Sequence, residues 1–137
     1  MHERARSSAI LKIFLVDDSP LVRQRIAALI GAIKGVEIVG EAEDAGDALS
    51  GIAATDADVV IVDLRLTGGS GLDVLAGLAQ SSRLVITIVL TNYSSAVICK
   101  TCLSAGANYF FDKTSEFNLA RDAIERISLA HPATTTD

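Results

Sequence analysis

Leu11-Lys12-Ile13-Phe14-Leu15-Val16-Asp17-Asp18-Ser19-Pro20 is an apolar run that breaks into two acids, a hydroxyl and a proline. An apolar run without polar alternation fits a strand covered on both faces, as in a parallel sheet. Beyond it, Ser19 suits a helix N-cap and Pro20 the first helical position. Val22, Ile26, Leu29, Ile30 and Ile33 then recur at helical spacing, with Gly35 just past the end. The stretch reads as a strand, an acidic turn and a helix.

The same alternation continues along the chain. Val36 to Val39, Val59 to Val62, Leu84 to Leu90 and Tyr109 to Phe111 are further strand-like runs. Helical segments are expected over Asp44 to Ala54, Leu72 to Ala79 and Ser94 to Ala105. A last helix, capped by Ser115, carries Phe117, Ala120, Ile124 and Ile127 on one face. Five strand–helix alternations predict an α/β, doubly wound, five-stranded parallel sheet with helices on both faces, because parallel neighbours need crossover helices. One domain over residues 10–130 is expected, with residues 1–9 and 131–137 as flexible tails.

The chain has 137 residues, half of them hydrophobic, and a net charge of −5. That is apolar material for one core, and the acidic balance argues against direct nucleic-acid binding. The apolar runs are far shorter than the ~20 residues of a membrane span. Met1 to Ser8 makes a poor signal peptide, so no membrane association and a cytoplasmic location are expected. Cys99 and Cys102 lack the second Cys pair or nearby His that a zinc site needs and sit inside a helical pattern. They read as two small core-facing residues.

In a sheet of this kind, function belongs to the crevice at the carboxyl ends of the strands. The first run ends in Asp17-Asp18, the third in Asp63 and the fourth in Thr91, and the fifth is followed by Lys113. Three carboxylates in one crevice repel each other unless a cation offsets them, and Mg²⁺ prefers such oxygen ligands. Lys113 and the Thr91 hydroxyl add a positive charge and a donor, and the set suits a phosphoryl dianion. Gly68-Gly69-Ser70-Gly71 lacks the Gly-Lys-Ser/Thr of a P-loop and reads as a turn before the next helix.

Four blocks carry a specific resemblance: Phe14 to Pro20, Val60 to Gly71, Ile88 to Thr91, and Ala105 to Lys113. Together they resemble the signature blocks of response-regulator receiver domains, of the chemotaxis type of single-domain regulator. The resemblance implies a flavodoxin-like strand order 2-1-3-4-5 and a stand-alone receiver, a monomer or weak dimer. It makes Asp63 the phosphoacceptor and Asp17, Asp18, Asp63 and the backbone carbonyl of Arg65 the Mg²⁺ ligands. Thr91 and Lys113 contact phosphoryl oxygens, and Thr91 and Phe110 form a switch. The implied donor is a sensor histidine kinase or a histidine phosphotransfer protein, and the implied target is a further protein. Such a domain catalyses its own phosphorylation and slow dephosphorylation, and is not an enzyme in the ordinary sense.

The chain departs from the family pattern at Thr67 and Thr114, where prolines are usual, and at Asn92, where a small residue is common. Arg65 and Tyr93 put bulk beside the site. Two other Asp- or flavin-based readings fit poorly. A haloacid-dehalogenase-type phosphatase needs a second Asp where Arg65 stands, and a flavodoxin needs a Gly- and hydroxyl-rich loop where Asp17-Asp18-Ser19-Pro20 stands. The alternative that keeps the fold is a pseudo-receiver, a protein-binding module that is never phosphorylated.

Overall fold

Five parallel strands form the centre of the computed structural model, which describes residues 6–7, 10–131 and 134–135. They are β1 (Leu11–Val16), β2 (Val36–Ala42), β3 (Val59–Val62), β4 (Ile86–Thr91) and β5 (Tyr109–Asp112), in the order β2-β1-β3-β4-β5. This is the expected 2-1-3-4-5 arrangement. The crossovers carry α1 (Pro20–Gly31), α2 (Ala45–Thr55), α3 (Gly71–Ala79) and α4 (Ala96–Ser104), and α5 (Phe117–Ala130) follows β5.

Side-chain alternation sends each strand to two cores. Leu11, Ile13 and Leu15 of β1, with Val59, Ile61, Ile88 and Leu90, pack against Ile26 and Ile30 of α1 and Phe117, Ala120, Ile124 and Ile127 of α5. Phe14 and Val16, with Val60, Val62 and Val89, pack against Ala48 and Ile52 of α2, Val74 and Leu75 of α3 and Cys102 of α4. Burial on both faces is why these strands read as solid apolar runs. The inner strands β1, β3 and β4 are almost wholly buried, so their carboxyl ends are rigid platforms for the loops that follow.

Local signals set most helix starts. The Ser19 hydroxyl accepts from the Val22 amide at 3.3 Å, with Pro20 as the first helical residue. Asp44 caps α2 through the Asp47 amide, and Ser70 caps α3 in a reciprocal box with Asp73. At the other end of α1 the helix stops at Gly31, short of Gly35, whose φ of 84° serves the turn into β2.

Three expectations need correction. Leu84 is 96 % exposed and precedes β4, which starts at Ile86; the turn before it is held by Arg83, bound to the Asp56 and Ala57 carbonyls and to Asp58. Ser115 does not cap α5, because its amide and hydroxyl both bind the Asp112 carboxylate at 2.8 Å, and Glu116 takes the capping position without a side-chain bond to the helix's amides. Cys102 is buried as expected, but Cys99 is only half-buried. Of the expected tails, Arg6–Ser7 pairs antiparallel with Thr134–Thr135; most of the remainder lies outside the described residues. Among the described residues no helix is long and apolar enough to cross a membrane.

Candidate functional site

The sheet's own hydrogen bonds bring the acidic residues together. The Asp17 amide donates to the Ala42 carbonyl at 3.1 Å and the Asp63 amide to the Val16 carbonyl at 2.9 Å, so the parallel ladder runs one step past the strands. Asp17 and Asp63 therefore stand side by side at the carboxyl edge, 3 % and 6 % exposed, while Asp18 is open to solvent. One carboxylate oxygen from each of Asp17, Asp18 and Asp63 lies within 4.8 Å of the others. An all-oxygen set of this size fits a hard divalent cation such as Mg²⁺.

Lys113 arrives from the far side of the site. Its amide donates to the Thr91 carbonyl at 2.8 Å, which continues the β4–β5 ladder. Its ammonium donates to Asp17 Oδ2 at 2.8 Å and to Asp63 Oδ2 at 2.7 Å. Burial alone would lower the lysine pKa, but the bonds and charges of Asp17 and Asp63 outweigh it and hold the ammonium above its ordinary value. The second oxygens are also occupied: Asp17 Oδ1 accepts from the Ser19 amide at 2.9 Å and Asp63 Oδ1 from the Leu64 amide at 2.7 Å.

Thr91 is fully buried at the end of β4, and its hydroxyl accepts from the Tyr93 amide at 3.2 Å. Accepting that bond leaves the hydroxyl proton available to a further acceptor. The Arg65 guanidinium lies 4.8 Å from the centre of the Tyr93 ring, a cation–π contact. Arg65 and Tyr93 border a cleft of about 430 Å³, with Leu66 and Leu72 on one side and Ile98 of α4 on the other. Phe110 is not at the carboxylates. It is half-buried beside α4 and lines a separate groove with Ser95, Cys99 and Glu116.

The glycine-rich loop after Asp63 is a turn, as read. Gly69 has a φ of 74°, and at Gly71 a β-carbon would collide with the Asp63 carbonyl, so the start of α3 presses against the loop that follows Asp63. The Gly71 amide donates to the Leu64 carbonyl at 2.9 Å, which ties that loop to the helix.

Two further groups escaped the sequence reading. Arg23 of α1 donates to the main-chain carbonyl of Asp17 and pairs with Glu41 at 2.7 Å and Glu43 at 3.3 Å. The signal was the pair Glu41 and Glu43, two residues apart at the end of β2, facing an Arg one turn after the Ser19 cap. Asp112 collects the Ser94 hydroxyl, the Ser115 amide and hydroxyl and the Thr114 amide, which together pull its carboxyl down to about 2. It links the loop after β4 to the loop after β5, next to Lys113.

The geometry agrees with the comparisons. Residues 13–125 match the family model described as the response regulator receiver domain. The chain is 32 % identical over 104 residues to the DNA-binding transcriptional activator DevR/DosR of Mycobacterium tuberculosis, covering 76 % of this chain and 48 % of that protein. It is 32 % identical over 118 residues to a nitrate/nitrite response regulator protein homolog of Haemophilus influenzae, covering 86 % and 57 %. Among solved structures, a LuxR-family two-component response regulator from Aurantimonas sp. SI85-9A1 superposes with a TM-score of 0.80 at 31 % identity, covering 92 % of this chain and 90 % of that one. The receiver domain of NarL from M. tuberculosis gives a TM-score of 0.76 at 26 % identity, covering 92 % and 96 %. The chain spans about half the length of the curated relatives it matches. With the sheet order, the three gathered carboxylates and Lys113 bridging two of them, these matches lead to one identification: the chain belongs to the response regulator receiver domain family of two-component systems.

Proposed function

We propose that residues 10–130 take a phosphoryl group onto Asp63 from a phosphohistidine and answer by changing a protein-binding face. The donor is a sensor histidine kinase or a histidine phosphotransfer protein, and the recipient of the signal is another protein. The observation that carries the proposal is the ammonium of Lys113 between Asp17 and Asp63, with Asp18 alongside. This is a site in which a buried nucleophile, a cation site and a phosphoryl-binding cation converge.

In the reaction, a carboxylate oxygen of Asp63 forms the new P–O bond as the donor's P–N bond breaks, and the electron pair returns to the imidazole nitrogen. Asp17, Asp18, Asp63 and the Arg65 carbonyl would hold Mg²⁺, which supplies charge neutralisation at the phosphoryl oxygens. Lys113 exchanges a carboxylate partner for a phosphoryl oxygen, and the Thr91 hydroxyl donates to another. Phosphoryl transfer depends chiefly on positioning and electrostatics, and both partners are already anchored through the β4–β5 ladder. Movement of Thr91 would then be passed to Phe110 and the face around α4.

The test is intact mass after incubation with acetyl phosphate. The wild type should gain one phosphoryl adduct with Mg²⁺ and none with excess chelator, and Asp63→Asn should gain none. A wild type that stays unmodified with Mg²⁺ would instead favour the pseudo-receiver.

A further inference from the structure

We infer that Arg23 is a positioning residue for the metal-binding acids, acting through the main-chain carbonyl of Asp17. The inference rests on the Mg²⁺ site proposed above. Arg23 lies one turn into α1, where its amide donates to the Ser19 carbonyl at 3.0 Å. Its side chain is only 12 % exposed and turns back over the ends of β1 and β2. Nη1 donates to the Asp17 carbonyl, Nε to Glu41 and Nη2 to Glu43. A guanidinium holds its donors in one rigid plane, so three acceptors bound to it are fixed relative to one another.

The Asp17 carbonyl belongs to the peptide group that joins Asp17 to Asp18. Asp17 is already held at Oδ1 by the Ser19 amide and at Oδ2 by Lys113. With its carbonyl held as well, the plane of that peptide is set, and so is the direction in which the exposed Asp18 leaves the chain. Glu41 and Glu43 anchor the other two donors of the brace. The Glu43 carbonyl in turn accepts from the Thr67 amide at 3.0 Å, which extends the brace to the loop after Asp63.

Two physical roles for Arg23 have opposite signs. As a point charge near the site it repels a divalent cation, so its removal would tighten Mg²⁺ binding. As a brace it orients ligands, and losing such an outer partner typically weakens metal affinity by about 10–100-fold. The sign of the change therefore separates positioning from general electrostatics. Arg23→Lys adds a second control, because lysine keeps the charge but cannot span three acceptors.

The experiment titrates Mg²⁺ into the full chain and follows the amide NMR shifts of Asp18 and Leu64, for wild type, Arg23→Met, Arg23→Lys and Asp18→Asn. Both Arg23 variants should bind Mg²⁺ about tenfold more weakly than wild type while keeping a folded spectrum. Equal or tighter binding in Arg23→Met overturns the inference. Should Arg23→Met fail to fold, Arg23→Lys decides alone, and an unchanged affinity there overturns it. A wild type without Mg²⁺-dependent shifts, or an Asp18→Asn that binds as wild type does, brings down the metal site itself and this inference with it.

Discussion

Lys113 is the residue on which the site balances when no divalent cation offsets its acids. Asp17 and Asp63 stand side by side and buried, and the lysine ammonium is the positive charge that their carboxylates share. Removing one partner of a buried ionic cluster typically costs about 3–5 kcal/mol, so Lys113→Met should destabilise the Mg²⁺-free fold by roughly 3 kcal/mol. The pH dependence has a definite sign. Because the folded-state pKa is raised above the ordinary 10.5, the stabilisation is fully present below that value and disappears as pH rises through the folded pKa. Urea unfolding in chelator, from neutral pH to above pH 10.5, should show the wild type's advantage over Lys113→Met shrinking at the alkaline end. An advantage that stays constant across that range would mean that the ion pair does not supply it.

At the scale of elements, the strands were the most legible part of the sequence and the side-chain brackets between loops the least. Val59 to Val62 and Leu11 to Val16 are buried on both faces, so composition alone marks them. Leu84 looked like strand because an apolar residue next to a run carries no label for which side of the turn it occupies. Ser115 looked like a cap because a hydroxyl just before a helical pattern is the usual signal, and its spacing does not show that Asp112, three residues earlier at the end of β5, captures it. The acids and Lys113 could be found from their places at strand ends. Arg23 could not be given a role, since its bond to the Asp17 carbonyl joins a helix to a strand terminus. Phe110 tests how such elements couple. It is already half-buried, so moving further inward would gain only about half of the roughly 1.5–3 kcal/mol of full burial, and in the proposed switch the ring would be a modest bias between conformers. With beryllofluoride as phosphoryl mimic, amide shifts along Ser94 to Leu129 should change in wild type and change much less in Phe110→Ala. Identical responses would remove Phe110 from the coupling.

The whole molecule is a sheet that gathers its acids at one edge. Two cores hold the inner strands almost without exposure, and the ladder bonds that continue past their ends place Asp17, Asp63, Thr91 and Lys113 with little freedom. Fold and site are thus one construction: the burial that makes the strands recognisable also sets the spacing of the acids. The central claim is that Asp63, and neither of its acidic neighbours, is the phosphoacceptor. Acyl phosphates are reduced by borohydride to alcohols, which turns a phosphorylated aspartate into homoserine at its own position. Wild-type protein treated with acetyl phosphate and Mg²⁺, then reduced and mapped by peptide mass spectrometry, should carry homoserine at position 63 alone. Homoserine at position 17 or 18, or at no acidic residue, would contradict the account.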